Sequence, residues 1–194
     1  MTNVKISELP AASTPLTGAE IIPLVQDGVT RQTPINSFTL TSFGSISDLQ
    51  AAEVVDGRQV LVGGYTTDGD GGGGTFYGVT GAAPGTYTSN GGTIIVPGDG
   101  SSAWIRIIND GIINVKMFGA VGDGTTDDQP AIQAAIDVLP EDGALYIPYG
   151  VFAIESSLDI KGKTVRIYGD GFRSPDHVNY TGSVIKATAA MTTI

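Results

Sequence analysis

Val115-Lys-Met-Phe-Gly-Ala-Val-Gly-Asp-Gly-Thr-Thr-Asp-Asp-Gln-Pro-Ala-Ile-Gln-Ala-Ala-Ile-Asp137 decides the fold, because it joins a glycine-rich turn to a short amphipathic helix. Thr126 or Asp127 is the expected N-cap, since a short side-chain oxygen can take up a free amide of the first turn. Asp128 follows at the positive end of the helix dipole, and Pro130 falls within the first turn, where its missing N–H leaves no bond unmade. Ile132, Ala135, Ile136 and Leu139 recur at i, i+3, i+4 and i+7, which puts them on one apolar face. After Pro140-Glu-Asp-Gly143 the pattern changes to short strands at 144–147, 151–154, 165–167 and 184–186, punctuated by Gly143, Gly150, Gly162, Gly169 and Gly171. No one of these repeats buries its apolar side chains alone, so they must stack, and the helix face is expected to close the open end of the stack.

Upstream, Ser47-Asp-Leu-Gln50 has capping-box spacing, Leu49, Ala52 and Val55 form a short apolar face, and Asp56-Gly57 is the expected stop. A strand at 58–65, a loop at Asp68-Gly-Asp-Gly-Gly-Gly-Gly74, and strands holding Phe76, residues 94–96 and residues 104–108 follow. By period two, Trp104 and Arg106 share one strand face, and Ile105 and Ile107 the other. The first 40 residues read as a small β module: strands at Val4-Lys-Ile6 and Ile21-Ile-Pro-Leu-Val25, then a turn at Asp27-Gly28 and a return strand at 29–34. A module of that size buries little on its own and needs a neighbour or copies of itself. The expected class is mainly β with two short helices, in segments 1–40, 41–110 and 111–194.

Composition agrees with that class. The 194 residues are 41% hydrophobic and 15% charged, enough for a globular core, while 28 glycines and 10 prolines disfavour a helical bundle. Ten Lys+Arg against 20 Asp+Glu give a formal charge of -10, which argues against a nonspecific grip on nucleic acid. An anionic glycan would have to be held by local contacts. There is no cysteine, hence no disulfide framework and no thiolate metal site. The N-terminus lacks the basic start and apolar core of a signal peptide, and no 18-residue apolar run occurs, so membrane insertion is not expected.

Few groupings invite chemistry. The Asp68 to Gly74 loop lacks the further oxygens and closing Glu of a calcium loop, and it lacks the Gly-Lys-Ser/Thr of a phosphate loop, so it reads as a tight turn or close chain approach. Asp123, Asp127 and Asp128 resemble a carboxylate cluster, but they sit where a turn and a helix start favour acids. Asp170, Asp176 and His177 form the other acid/base grouping and read as a surface loop. Trp104 with Arg106 suits either a sugar-stacking platform or core and subunit-interface packing, and the same two readings apply to Tyr146, Tyr149 and Phe152. No Ser-His-Asp arrangement, HExxH, CxxC or Walker loop is present.

Three stretches carry a family resemblance. Lys5-Ile-Ser-Glu-Leu-Pro-Ala11 and Glu20-Ile-Ile-Pro-Leu-Val-Gln-Asp-Gly28 resemble the N-terminal attachment segments of bacteriophage tail fibres and tailspikes, with Lys5, Ile6, Ser7, Glu8, Leu9 and Pro10 as the motif. Residues 45–110, with a glycine-rich loop, an aromatic strand and a Trp-x-Arg strand, look like the linker domain before the β-helix of phage spikes. The 115–137 stretch resembles the opening of a pectate-lyase-like right-handed β-helix, with Asp127, Asp128, Ile132 and Ile136 at its capping positions.

The resemblance implies a homotrimer docked to the phage tail or baseplate, or to another tailspike protein. It also implies virion location after assembly in the host cytoplasm, and a downstream β-helix that binds and cleaves bacterial surface polysaccharide by hydrolysis or elimination. No cofactor and no metal site is expected. The family's catalytic acids lie on later turns or between subunits, and no position here matches them, so no catalytic residue is assigned. The expected function is that of a virion-attachment region for a depolymerising β-helix. The alternatives are a polysaccharide depolymerase, hydrolase or lyase, complete in this chain, and a non-catalytic adaptor or glycan-binding protein using aromatics such as Trp104.

Overall fold

The computed structural model describes residues 21–26, 29–34, 41–171 and 182–188, and the chain divides into two compact units, Met1–Leu40 and Thr41–Ile194. In the first unit, β1 (Ile21–Gln26) and β2 (Val29–Pro34) pair antiparallel, from Ile21↔Pro34 to Gln26↔Val29. The strand expected at 4–6 and the attachment motif Lys5, Ile6, Ser7, Glu8, Leu9 and Pro10 lie outside the described residues.

The second unit opens with β3 (Thr41–Phe43), α1 (Ile46–Ala51), β4 (Gln59–Val62), β5 (Gly74–Val79), β6 (Ile94–Ile95) and β7 (Ala103–Arg106). The strands form a five-stranded sheet in the order β3-β4-β5-β7-β6, antiparallel except for the parallel β3–β4 edge. Alternation sets its faces: Val60, Val62, Phe76, Ile95 and Trp104 point inward and are almost wholly buried against Ile46 and Leu49 of α1.

Helix α1 starts two residues earlier than its spacing suggested. Ser45, not Ser47, is the N-cap: its Oγ accepts from Asp48 N at 3.2 Å, while Asp48 Oδ2 accepts from Ser45 N at 3.0 Å, so Asp48 replaces Gln50 in the capping box. The earlier cap brings Ile46 into the helix, where it shares the buried face with Leu49 at i+3. The helix ends at Ala51, and Gly57 instead serves the turn before β4, at φ +68°. Val55 is accordingly exposed rather than part of the helix face.

The remainder is a parallel β-helix. Its elements are β8 (Ile112–Asn114), a 3-10 turn (Val115–Phe118), β9 (Asp123–Asp127), α2 (Gln129–Val138), β10 (Ala144–Ile147), β11 (Gly150–Ile154), β12 (Arg166–Gly169) and β13 (Ser183–Ala187). Successive strands alternate between two parallel sheets, β12-β10-β8 and β13-β11-β9, so each coil stacks on the one before. Leu145 pairs with Ile113 and Ile167, and Val151 with Asp123 and Val184. Ile113, Val115, Phe118, Leu145, Ile147, Phe152 and Ile154 line the interior, and α2 lays Ile132, Ala135, Ile136 and Leu139 on it.

Polar contacts fasten α2 to the loop after β11. Gln133 Nε2 donates to Asp159 O and Gln133 Oε1 accepts from Asp159 N, both at 2.8 Å. Lys163 Nζ donates to the Asp137 and Leu139 carbonyls at 3.0 and 2.8 Å, satisfying acceptors that a helix C-terminus leaves free. Among the described residues no helix is long and apolar enough to cross a membrane.

Ile136 is fully buried, so Ile136→Asp places an unpaired carboxylate in the β-helix interior. We expect a cost of about 4 kcal/mol or more, seen as lost soluble yield or a collapsed thermal midpoint. Unchanged melting would show that the face of α2 does not need burial.

Candidate functional site

The joint between the five-stranded sheet and the β-helix is built around Arg106. Period two turns this side chain inward beside Trp104, and only 4% of its surface remains exposed. It meets backbone carbonyls: Nε donates to Gly92 O at 2.8 Å, Nη1 to Gly73 O at 2.6 Å and Nη2 to Gly72 O at 2.9 Å. Its guanidinium carbon lies 4.5 Å from the centre of the Phe76 ring, within cation–π range. Burial lowers its pKa to about 10, which leaves the cation charged at neutral pH.

The two loops that Arg106 holds are also shaped from within. Asp70 accepts from the amides of Tyr65, Thr66, Thr67 and Gly72 at 2.8 to 3.0 Å. Burial pushes its carboxyl up, but the four amides outweigh that and bring its pKa down to about 2. The Asp68 to Gly74 loop is thus the expected turn and close approach, organised by its second aspartate. In the other loop, Asn90 Oδ1 accepts from Gly92, Thr93 and Ile94 N.

Glycines in these loops let the first coil of the β-helix approach. A Cβ on Gly72 would overlap the Lys116 carbonyl and Tyr65, and one on Gly92 would stand 2.6 Å from the Phe118 ring. Gly119, at φ +92°, receives the Tyr65 ring where any side chain would collide. A cleft of about 350 Å³ beside this contact is lined by Tyr65, Thr66, Thr67, Asp70, Lys116 and Val121. Lys116 Nζ donates to Val121 O at 3.1 Å across it.

The acids before α2 are arranged differently from the expectation. Asp128, not Thr126 or Asp127, occupies the N-cap, and its side chain makes no cap bond. That side chain is instead buried and accepts from Val121 N at 2.6 Å and Gly122 N at 3.0 Å, while its own amide donates to Ala153 O at 2.7 Å. The turn at 121–122 needs these acceptors more than the first helical turn does, because Pro130 already removes one free amide there. Burial raises the Asp128 carboxyl despite the two amides. Asp127 ends β9, and its Oδ1 accepts from Gln129 N and Glu155 N at 3.1 Å. Asp123 accepts from Thr125 N, Thr126 N and the Thr126 hydroxyl, which hold its pKa well below the usual carboxylate range. Each of the three aspartates is occupied by backbone amides.

Trp104 is 1% exposed, so the core reading holds and the sugar-platform reading fails. Phe152 is also core. Tyr146 and Tyr168, by contrast, stack along the outer surface of β10 and β12 with centroids 5.4 Å apart, and Asp170 accepts from Tyr146 Oη at 2.8 Å and Tyr149 N at 2.6 Å. Asp176 and His177 lie outside the described residues. Arg106, Asp70 and Asn90 are the structural residues that sequence reasoning did not single out in these roles. Their signal is a polar side chain inside or beside a glycine-rich stretch whose amides and carbonyls need partners.

Two outcomes follow. Arg106→Met strands the Gly72, Gly73 and Gly92 carbonyls and should lower stability by about 3 kcal/mol in urea denaturation. An unchanged midpoint would mean that the cation does not hold the loops. Asp70 has a folded pKa near 2 against an ordinary 3.8, so its stabilisation is complete above pH 4 and is lost as pH falls toward 2. Asp70→Asn should lower the neutral-pH melting point and flatten part of the acid limb. An acid limb of unaltered slope would contradict the assignment.

Residues 42–110 match the family model of the phage tail protein small four-stranded beta-sheet domain, and residues 112–193 match that of rhamnogalacturonase A/epimerase, pectate lyase-like. The chain is similar to mannuronan C5-epimerase AlgE3 of Azotobacter vinelandii, 46% identical over 55 residues, which are 27% of this chain and 3% of that protein. It is also similar to the pre-neck appendage protein of Bacillus phage B103, 45% identical over 53 residues, 27% of this chain and 6% of that one. Among solved structures, Pantoea stewartii WceF, a glycan biofilm modifying enzyme with a bacteriophage tailspike-like parallel β-helix fold, superposes at TM-score 0.51 and 26% identity. The match covers 76% of this chain and 20% of that one. The enzymatically active domain of bacteriophage CBA120 tailspike protein 4 shares the fold at TM-score 0.54 and 17% identity, over 87% of this chain and 22% of that one. The chain therefore spans about a fifth of these solved chains and a few per cent of the curated relatives. Residues 42–110 thus match a phage tail β-sheet domain, residues 112–193 match a pectate-lyase-like domain, and the chain shares the fold of a tailspike-like parallel β-helix protein.

Proposed function

We propose that the chain anchors a polysaccharide-directed β-helix to the phage tail. In this reading residues 1–40, with the motif Lys5 to Pro10, dock to the tail, the baseplate or another tailspike. Residues 41–110 form the linker, and 111–194 form the capping helix and first turns of the β-helix. Asp127, Asp128, Ile132 and Ile136 belong to that cap. The parent assembly is a homotrimer put together in the host cytoplasm, and cleavage of bacterial surface glycan is carried by residues other than those described here.

The observation that carries the reading is the joint itself. A tail-type sheet runs into the first β-helical coil through glycine contacts too close for side chains, so a force or orientation imposed on the sheet passes directly to the coil. A free polysaccharide enzyme has no need of a tail domain fastened in this way.

An antibody raised against this chain, used for immunogold labelling of particles of the phage that encodes it, should mark the tail. Immunoblots of washed particles should show the protein as a virion component. Particles free of label and of immunoreactive protein would sink the anchoring role.

A further inference from the structure

The outer face of the five-stranded sheet departs from the usual pattern. An antiparallel sheet with one face on a core normally turns polar side chains to water on the other. Here Leu61 lies beside Thr75, and a second cross-strand row runs Gln59, Tyr77, Ile105, Ile94. Leu61 is 42% and Tyr77 36% exposed, while Ile94 and Ile105 are half-buried on the same surface. None of these side chains is charged. Charges enter at the margins, with Arg58 before β4 and Asp68 beside the hollow that Leu61 shares with Ser42 and Gly63.

We propose that this face is where copies of this chain meet one another. The inference rests on the multi-copy assembly proposed above and names its contact surface. Charge selects the occupant: two chains of formal charge -10 repel over most of their surfaces, so they associate most readily where neither carries charge. The two rows offer an uncharged, partly apolar surface centred on an exposed tyrosine, the residue type that anchors protein interfaces. The rigid joint beyond the sheet would then set the β-helices of the copies side by side in fixed orientation.

Light scattering of the full chain should give a multiple of 19.9 kDa at micromolar concentration. Leu61→Lys and Tyr77→Lys each add a cation to the face without touching the core, and each should raise the concentration for half-assembly by about ten-fold or more. Ile160→Lys, at a 45% exposed position in the loop after β11, should assemble like the parent chain. Circular dichroism establishes that each variant is folded, and Leu61→Ser with Tyr77→Ser replaces any that is not. Folded variants that assemble as the parent does would overturn the proposed surface and leave multi-copy assembly intact. Variants that lose thermal stability yet keep the multimer would mean that the face is covered by residues of its own chain, which also overturns it. A monomeric parent chain would sink this proposal and the multi-copy assembly together.

Discussion

A buried guanidinium that ion-pairs with no carboxylate among the described residues is the interaction on which the second unit depends. Taking a cation out of water is unfavourable, and Arg106 offsets that through three charge-assisted bonds to carbonyls and a ring beneath it. The three carbonyls belong to two separate loops, one at Gly72 and Gly73, the other at Gly92. The same loops present the glycines that receive Lys116 and Phe118. A single side chain on β7 therefore fixes both halves of the seat on which the β-helix begins.

Carboxylates and amides do elsewhere what disulfides do in other loop-rich chains. Asp70 gathers four amides, Asn90 three and Asp128 two, so the loops are tied by side chains that replace missing ladder partners. Lys163 performs the converse service at the end of α2, donating to carbonyls. The arrangement suits a cysteine-free chain, and it concentrates acid sensitivity in the loops rather than in the apolar cores.

Much of this was legible in order and period. The strands at β4, β5, β10, β11 and β13, the face of α2 and the face shared by Trp104 and Arg106 all follow from local alternation, which the pleat and helix geometry enforce. The losses have one physical origin. β8 and β9 are strands because later coils pair with them, Asn114 with Tyr146 and Asp123 with Val151, and Asp-Gly-Thr-Thr-Asp has no apolar alternation of its own. The pairing of β9 is even irregular between Val151 and Ala153, where the Asp123 side chain holds the extra residues. The displaced caps at Ser45 and Asp128 arise in the same way, since distant packing chose between neighbouring residues that are chemically equivalent as caps.

The glycine seat has a consequence for how such proteins can exchange parts. Genes that recombine at 110/111 would set a foreign sheet against Gly119 and a foreign 3-10 turn against Gly92, where a single methyl group of mismatch collides with an aromatic ring. A crossover at 40/41 falls between the two compact units. The heritable module is accordingly the sheet together with the coil it carries, and recombination is expected to move the two as one block.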